Sequence, residues 1–121
     1  MKYTIDGFKQ EEAIKLGLDL TELLIIRWIV DFNPSMSKKE IDNEEYFWVN
    51  YQALLDDMPI LNISKDRLYR ILKKLVEKGI LKHKTVKQGG TFSFYSFGEK
   101  YIDLVNGKNT ELYGENTEPL R

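Results

Sequence analysis

The sequence predicts an α+β domain, mostly helical, and three observations carry that expectation. Between Ser64 and Gly79, Leu68, Ile71, Leu72, Leu75 and Val76 recur at the spacing of one helical face. Two alternating runs, ILKHKTVK at 80–87 and TFSFYSF at 91–97, bracket Gln88-Gly89-Gly90, the pattern of a β-hairpin closed by a glycine turn. The run TELLIIRWIVDF at 21–32 has the length and composition of a helix buried on more than one side. A chain of 121 residues is the size of one domain, and 42 % hydrophobic with 31 % charged residues can both fill and cover one core. Wholesale disorder is excluded.

The elements follow in order. Residues 3–8 read as a short strand or an arm ending at Gly7, and 9–16 (KQEEAIKL) as a short helix stopped by Gly17. Asp19 or Thr21 can cap the apolar helix that runs to Phe32, where Asn33-Pro34-Ser35 ends it. Leu23, Leu24, Ile26, Trp28, Ile29, Val30 and Phe32 exceed a single stripe, so this helix is central or contacts a second chain. Residues 36–50 read as a hairpin, with Lys39–Ile41 and Tyr46–Asn50 flanking a polar turn Asp42-Asn43-Glu44-Glu45. A short helix over 51–57 stops before Pro59, because the residue preceding proline avoids the helical region. Ile60-Leu61-Asn62-Ile63 forms an apolar turn, and Ser64 starts the clearest helix, with Asp66 in its first turn. A last helix, about 99–105, is expected to bury Tyr101, Leu104 and Val105. The expected domain is 1–105, and 106–121 reads as a loose polar tail or the start of a linker.

Charge is segregated along the chain although the total is only −1. Residues 1–63 hold 6 Lys/Arg against 12 Asp/Glu, residues 64–87 hold 9 against 2, and residues 88–121 hold 3 against 5. One 24-residue stretch therefore has the field that attracts a polyanion, while the rest repels it. Charge alone fits equally a solvated helix face followed by a lysine-blocked edge strand. The order of elements separates these readings. A short helix, a tight turn, a basic amphipathic helix and a hairpin make a winged helix-turn-helix, whose second helix needs a buried face and an opposite cationic face to enter the major groove. This version has an extra N-terminal helix, a β-hairpin before the helix-turn-helix and a short C-terminal helix. Lys82, Lys84 and Lys87 would then stand near phosphates beside the helix, and Gly89 and Gly90 would let the turn approach the duplex closely.

The run ISKDRLYRILKKLVEKGIL resembles the recognition-helix signature of winged-helix DNA-binding domains: a small polar start, alternating basic positions, Leu-x-x-Leu packing and a closing Lys-Gly-Ile-Leu. Over residues 3–105 the pattern, including YFWVNYQALLDDMPILN before that run and KHKTVKQGGTFSFY after it, is similar to the N-terminal module of DnaD-like replisome organisers. Those are replication initiators of prophages and plasmids in low-GC Gram-positive bacteria. The resemblance implies origin binding, with a longer C-terminal part that recruits helicase-loading machinery. The sequence ends before such a part, as an N-terminal fragment or a module acting alone would. Carried over by position, Ser64, Lys65, Arg67, Tyr69 and Arg70 match the first turns that touch DNA. Lys65, Arg67, Tyr69 and Arg70 are assigned to bases or adjacent phosphates, and Lys73, Lys74, Lys84 and Lys87 mainly to phosphates. Asp66 departs from the small hydroxyl residue common at its position; it caps the helix or accepts from a cytosine amino group. Tyr69 contacts DNA or packs its ring on the domain surface.

Other chemistries find little in the sequence. The single histidine, His83, lies among lysines with no proton-relay partner in view, and reads as a solvated or phosphate-touching imidazole rather than a catalyst. One His and no Cys cannot complete a common zinc site, so no metal is expected, nor any disulfide; the chain fits a reducing interior. Glu11-Glu12, Glu44-Glu45 and Asp56-Asp57 are sequence neighbours, not acid/base pairs, and Gln88-Gly89-Gly90-Thr91 lacks the lysine of a phosphate loop. No enzyme activity and no cofactor are expected. Trp28 and Trp48 read as core. Leu23-Leu24-Ile25-Ile26 is cut by Arg27, so no bilayer span is expected, and Met1-Lys2-Tyr3-Thr4-Ile5-Asp6 has no apolar signal core, so a cytoplasmic location is expected. The expected partner is double-stranded DNA, with a homodimer and replisome proteins as further partners. Within DNA binding, a winged-helix transcriptional regulator is the alternative to an initiator. Outside it, the alternative is a winged-helix module for protein interaction or dimerisation, which the acidic first half and the over-apolar helix would suit.

Overall fold

The computed structural model describes residues 3–107. The chain runs through β1 (Thr4–Ile5), β2 (Phe8–Lys9), α1 (Gln10–Lys15), α2 (Leu20–Phe32), β3 (Lys38–Ile41), β4 (Glu44–Trp48), α3 (Tyr51–Asp57), α4 (Lys65–Glu77), β5 (Leu81–Lys87), β6 (Thr91–Phe97) and α5 (Glu99–Asn106). It is an α+β fold, with the expected N-terminal helices, hairpin, short helix, basic helix, second hairpin and terminal helix in that order.

Local chemistry explains the boundaries. Asp19 accepts from the Glu22 backbone N–H at 2.8 Å while the Glu22 carboxylate accepts from the Asp19 N–H at 2.9 Å, a reciprocal capping box that starts α2. The carboxamide oxygen of Asn50 caps α3 by accepting from Ala53 N–H, and the Ser64 hydroxyl caps α4 by accepting from Arg67 N–H. Gly79, at φ +80°, ends the basic helix in the left-handed region, which a side chain adopts only at a cost.

α2 is central. Leu23, Ile25, Ile26, Trp28 and Ile29 are buried in one core with Leu54 of α3, Leu68, Leu72 and Leu75 of α4, Phe47 of β4 and Val49 just after it, Leu81 and Tyr95 of the second hairpin, and Leu104 of α5. Most of its apolar surface is thus buried within one chain, although Leu20 and Phe32 at its ends stay 65 % and 44 % exposed. The two long hairpins join into one antiparallel sheet of order β3-β4-β6-β5, through the pairs Phe47↔Tyr95 and Trp48↔Phe94. One sheet face meets the core through Phe47, Val49, Leu81 and Tyr95; the other carries Tyr46, Trp48, Phe92 and Phe94.

Several expectations need correction. Residues 3–8 are neither an arm nor a single strand, but most of a two-stranded hairpin turning at Asp6 and Gly7. The turn of the first long hairpin is Asp42-Asn43 alone, both at positive φ, and Glu44 and Glu45 belong to β4. Asp and Asn tolerate that conformation, and a two-residue turn of this hand matches strand twist, so the strands close further than the acidic run implies. The turn before α4 is a 3₁₀ turn over Pro59–Leu61 in which Ile60 is 82 % exposed; only Leu61 and Ile63 pack toward the core. α5 buries Leu104 completely but Tyr101 and Val105 only partly. Of the expected loose tail, only the start is described, with Asn106 still helical; residues 108–121 lie outside the described residues.

Candidate nucleic-acid interface

The interface is built from α4 upward. At about 100° per residue, its core stripe of Leu68, Leu72 and Leu75, with Ile71 beside it, leaves a wide outward arc. Asp66, Arg70, Lys73 and Glu77 occupy the middle of that arc. Lys65 and Tyr69 flank it on one side and Arg67 and Lys74 on the other. All of these side chains are exposed. Lys65, Arg67, Lys73 and Lys74 have no ion pair among the described residues. The acidic first half of the chain does not cover them.

Two members of the arc are positioned by neighbours. Arg70 Nε lies 3.2 Å from Asp66 Oδ2, one helical turn earlier, so Asp66 neither caps the helix nor stands free: Ser64 is the cap, and Asp66 orients Arg70. Both groups are largely exposed, and such a pair contributes little to stability. Tyr69 packs its ring on the domain surface and still leaves part of it exposed. It is 42 % exposed, and its ring stands edge-on to Tyr51 at 6.4 Å. Tyr51 in turn shares a 2.7 Å hydroxyl–hydroxyl hydrogen bond with the fully buried Tyr95, whose phenol burial pushes strongly toward the neutral form. A chain of three tyrosines thereby ties the outer face of α4 to the sheet.

The second hairpin contributes less free charge than its sequence implies. Lys82, expected near a phosphate, is held by Glu44, which also accepts from the Ser96 hydroxyl. Lys84 pairs with Asp42 at 3.1 Å. These contacts hold the Glu44 carboxyl below its ordinary range and raise both ammonium groups above theirs. Lys78 is internal too, donating to the Gly17 carbonyl at 2.8 Å and to the Glu22 carboxylate. The acidic and basic stretches, separate along the chain, are therefore partly neutralised in space. Lys87 remains exposed and without an ion pair among the described residues, beside the open Gly89-Gly90 turn. Lys65 of α4 and Thr91-Phe92-Ser93 of β6 line one notch, so the glycine end of the hairpin and the first turn of α4 lie at the same end of the molecule. Ser64, Lys65, Arg67, Tyr69 and Arg70 share that helix with Lys73 and Lys74, while Lys84 sits apart, beside the C-terminal end of α4.

His83 is not the solvated or phosphate-touching imidazole that its lysine neighbours imply. Strand alternation turns it toward the core, where its ring lies 4.8 Å from Tyr95 and its Nε2 is buried without a hydrogen-bond partner. Desolvation lowers its pKa below the ordinary 6.5. The sign follows: folding is favoured fully above the unfolded value, and that contribution is lost as pH falls through 6.5 toward the folded value, because the unfolded chain then binds the proton first. Thermal unfolding followed from pH 7 to pH 5.5 is expected to show a declining midpoint that His83→Gln flattens. An unchanged slope in that variant would assign the titration elsewhere.

Trp48, which sequence reasoning placed in the core, and Phe92, which it did not single out, both lie on the outer sheet face. Trp48 is half-buried on the outer sheet face and meets Phe92 edge-on at 5.9 Å. Tyr46-Phe47-Trp48-Val49 is apolar throughout and carries no alternation of its own; strand geometry, which alternates side chains, sends Trp48 to the face opposite Phe47 and Val49. Among the described residues no group of three or more His, Cys, Asp or Glu side chains could hold a metal ion, and no helix is long and apolar enough to cross a membrane. Comparison of the chain with protein-family models, curated proteins and solved structures finds no match.

Proposed function

We propose that the chain is a winged-helix module that binds duplex DNA, with α4 as the recognition helix and the β5–β6 hairpin as the wing. The observation that carries this reading is the uncovered cationic arc of α4: Lys65, Arg67, Arg70, Lys73 and Lys74 are exposed on a 13-residue helix whose opposite side is fully committed to the core. A helix of this kind fits the major groove, and the pairing of β4 with β6 supports the winged architecture by fastening the hairpin beside it. The resemblance to replisome organisers makes origin binding in phage or plasmid replication the biological role proposed; selection of duplexes from a random pool tests it. Recovered sites that match clustered repeats near the gene support an origin, and a single promoter palindrome supports a regulator.

Binding is expected to weaken steeply with salt. At about 0.9 per neutralised phosphate, the three helix lysines imply a slope of log affinity on log salt near −3 where Arg67 and Arg70 read bases, and near −4 to −5 where both arginines meet phosphates instead. Fluorescence anisotropy of a labelled duplex between 50 and 300 mM salt measures it. A flat titration would refute groove binding by this arc.

A further inference from the structure

We infer that the notch beside Lys65 accepts one unpaired nucleobase, stacked in the corner between Trp48 and Phe92, a proposal that rests on the duplex-binding reading above and refines it. β6 outruns its neighbour. After the pair Trp48↔Phe94 and the Val49 N–H to Ser93 carbonyl bond, β4 turns away into α3, so Thr91 and Phe92 have β5 on one side only. The space left is about 230 Å³, bounded by Trp48, Asn50, Gln52, Lys65, Thr91 and Phe92. That is below the roughly 300–1,000 Å³ of clefts for drug-sized ligands, and it suits a single flat heterocycle.

Its chemistry matches a base carried on a phosphate chain. The Trp48 and Phe92 rings stand at 82° to one another, forming two walls on which a planar ring can stack and abut. Asn50 spends its carboxamide oxygen on Ala53 N–H, which leaves its amide hydrogens to donate, and Gln52 donates to Asp56, which leaves its carbonyl to accept. Both residues line the notch, so it offers a donor and an acceptor to the edge of a base. No carboxylate lines the notch, whereas both clefts beside Trp28 include Asp57. Lys65 supplies the positive charge, at the end of the molecule where α4 and the glycine turn converge. Stacking on aromatic side chains is tolerant of base identity, and extruding a base costs least where it is already unpaired.

The test compares one perfect duplex with the same duplex bearing a single bulged thymidine. The wild-type chain is expected to bind the bulged duplex about tenfold more tightly, in line with the stacking worth of one base. Phe92→Ala should abolish that preference while leaving perfect-duplex affinity within about twofold, and Phe92→Tyr should keep it. Equal affinity of the wild type for both duplexes overturns the proposal and leaves duplex binding intact; so does an equal loss on both duplexes in a folded Phe92→Ala. Should neither duplex bind, the duplex reading fails, and a thymidine pentamer decides the notch alone. Quenching of Trp48 fluorescence, absent in Phe92→Ala, supports it, and no quenching overturns it.

Discussion

Replacing Arg67 and Arg70 together by alanine is expected to lower affinity for the selected duplex by about 2–6 kcal/mol, at about 1–3 kcal/mol for each bidentate arginine–guanine contact. Affinity for random duplex should fall only by the loss of two cations. The two arginines are three residues apart on one helix, so their single and double variants form a cycle whose non-additivity reports shared contacts. Folding should be unaffected, because both side chains point outward and the pair between Arg70 and Asp66 is exposed. Lys84→Ala provides the contrast: its ammonium is already neutralised by Asp42, so a small loss, equal on selected and random duplexes, is expected. Equal losses on both duplexes in the arginine variant would assign these side chains to phosphates and leave base reading to other groups.

Gly98→Ala is expected to be the most damaging single methyl addition for stability. A Cβ at that position would stand 2.3 Å from the Gly79 carbonyl oxygen and 3.0 Å from its carbon, and both obstacles are backbone. The same crossing is pinned by Gly98 N–H to the Ile80 carbonyl at 2.8 Å and Lys100 N–H to the Gly79 carbonyl at 3.0 Å. Overpacking against atoms that cannot rotate away costs about 3 kcal/mol, which for a domain of this size lowers the melting temperature by more than about 10 °C. Gly89→Ala is the control. It meets no atom within 4 Å, and only its left-handed φ of +67° opposes a side chain, a cost of about 1 kcal/mol. A Gly98→Ala midpoint no lower than that of Gly89→Ala would show that the crossing has room to shift. This crossing sets the hairpin against the end of the basic helix, so the proposed duplex binding is expected to weaken with it.

Much of the interface was legible because it rests on short-range rules. The stripe of Leu68, Leu72 and Leu75 predicts by periodicity alone which side of α4 faces out, and the exposed residues fall where it sends them. The tyrosines were not legible in the same way. Tyr51 and Tyr95 are 44 positions apart and share a hydrogen bond only because α3 and β6 meet in space. The free charge on the hairpin was misjudged for the same reason: Lys82 and Lys84 find Glu44 and Asp42 about 40 positions earlier, across a sheet whose pairing no local pattern announces.

By itself, then, the amino-acid order determined the helices, the two long hairpins, the Ser64 cap and the outward cationic arc, and narrowed the start of α2 to Asp19 or Thr21, because these depend on neighbours within a turn or two. Tertiary structure alone decided that β4 zips onto β6, that His83 turns inward, that two of the three β5 lysines are spent on carboxylates, and that Trp48, Phe92 and Lys65 line one notch. Those outcomes depend on long-range pairing, where the gain comes from surfaces brought together after the loop between them has closed.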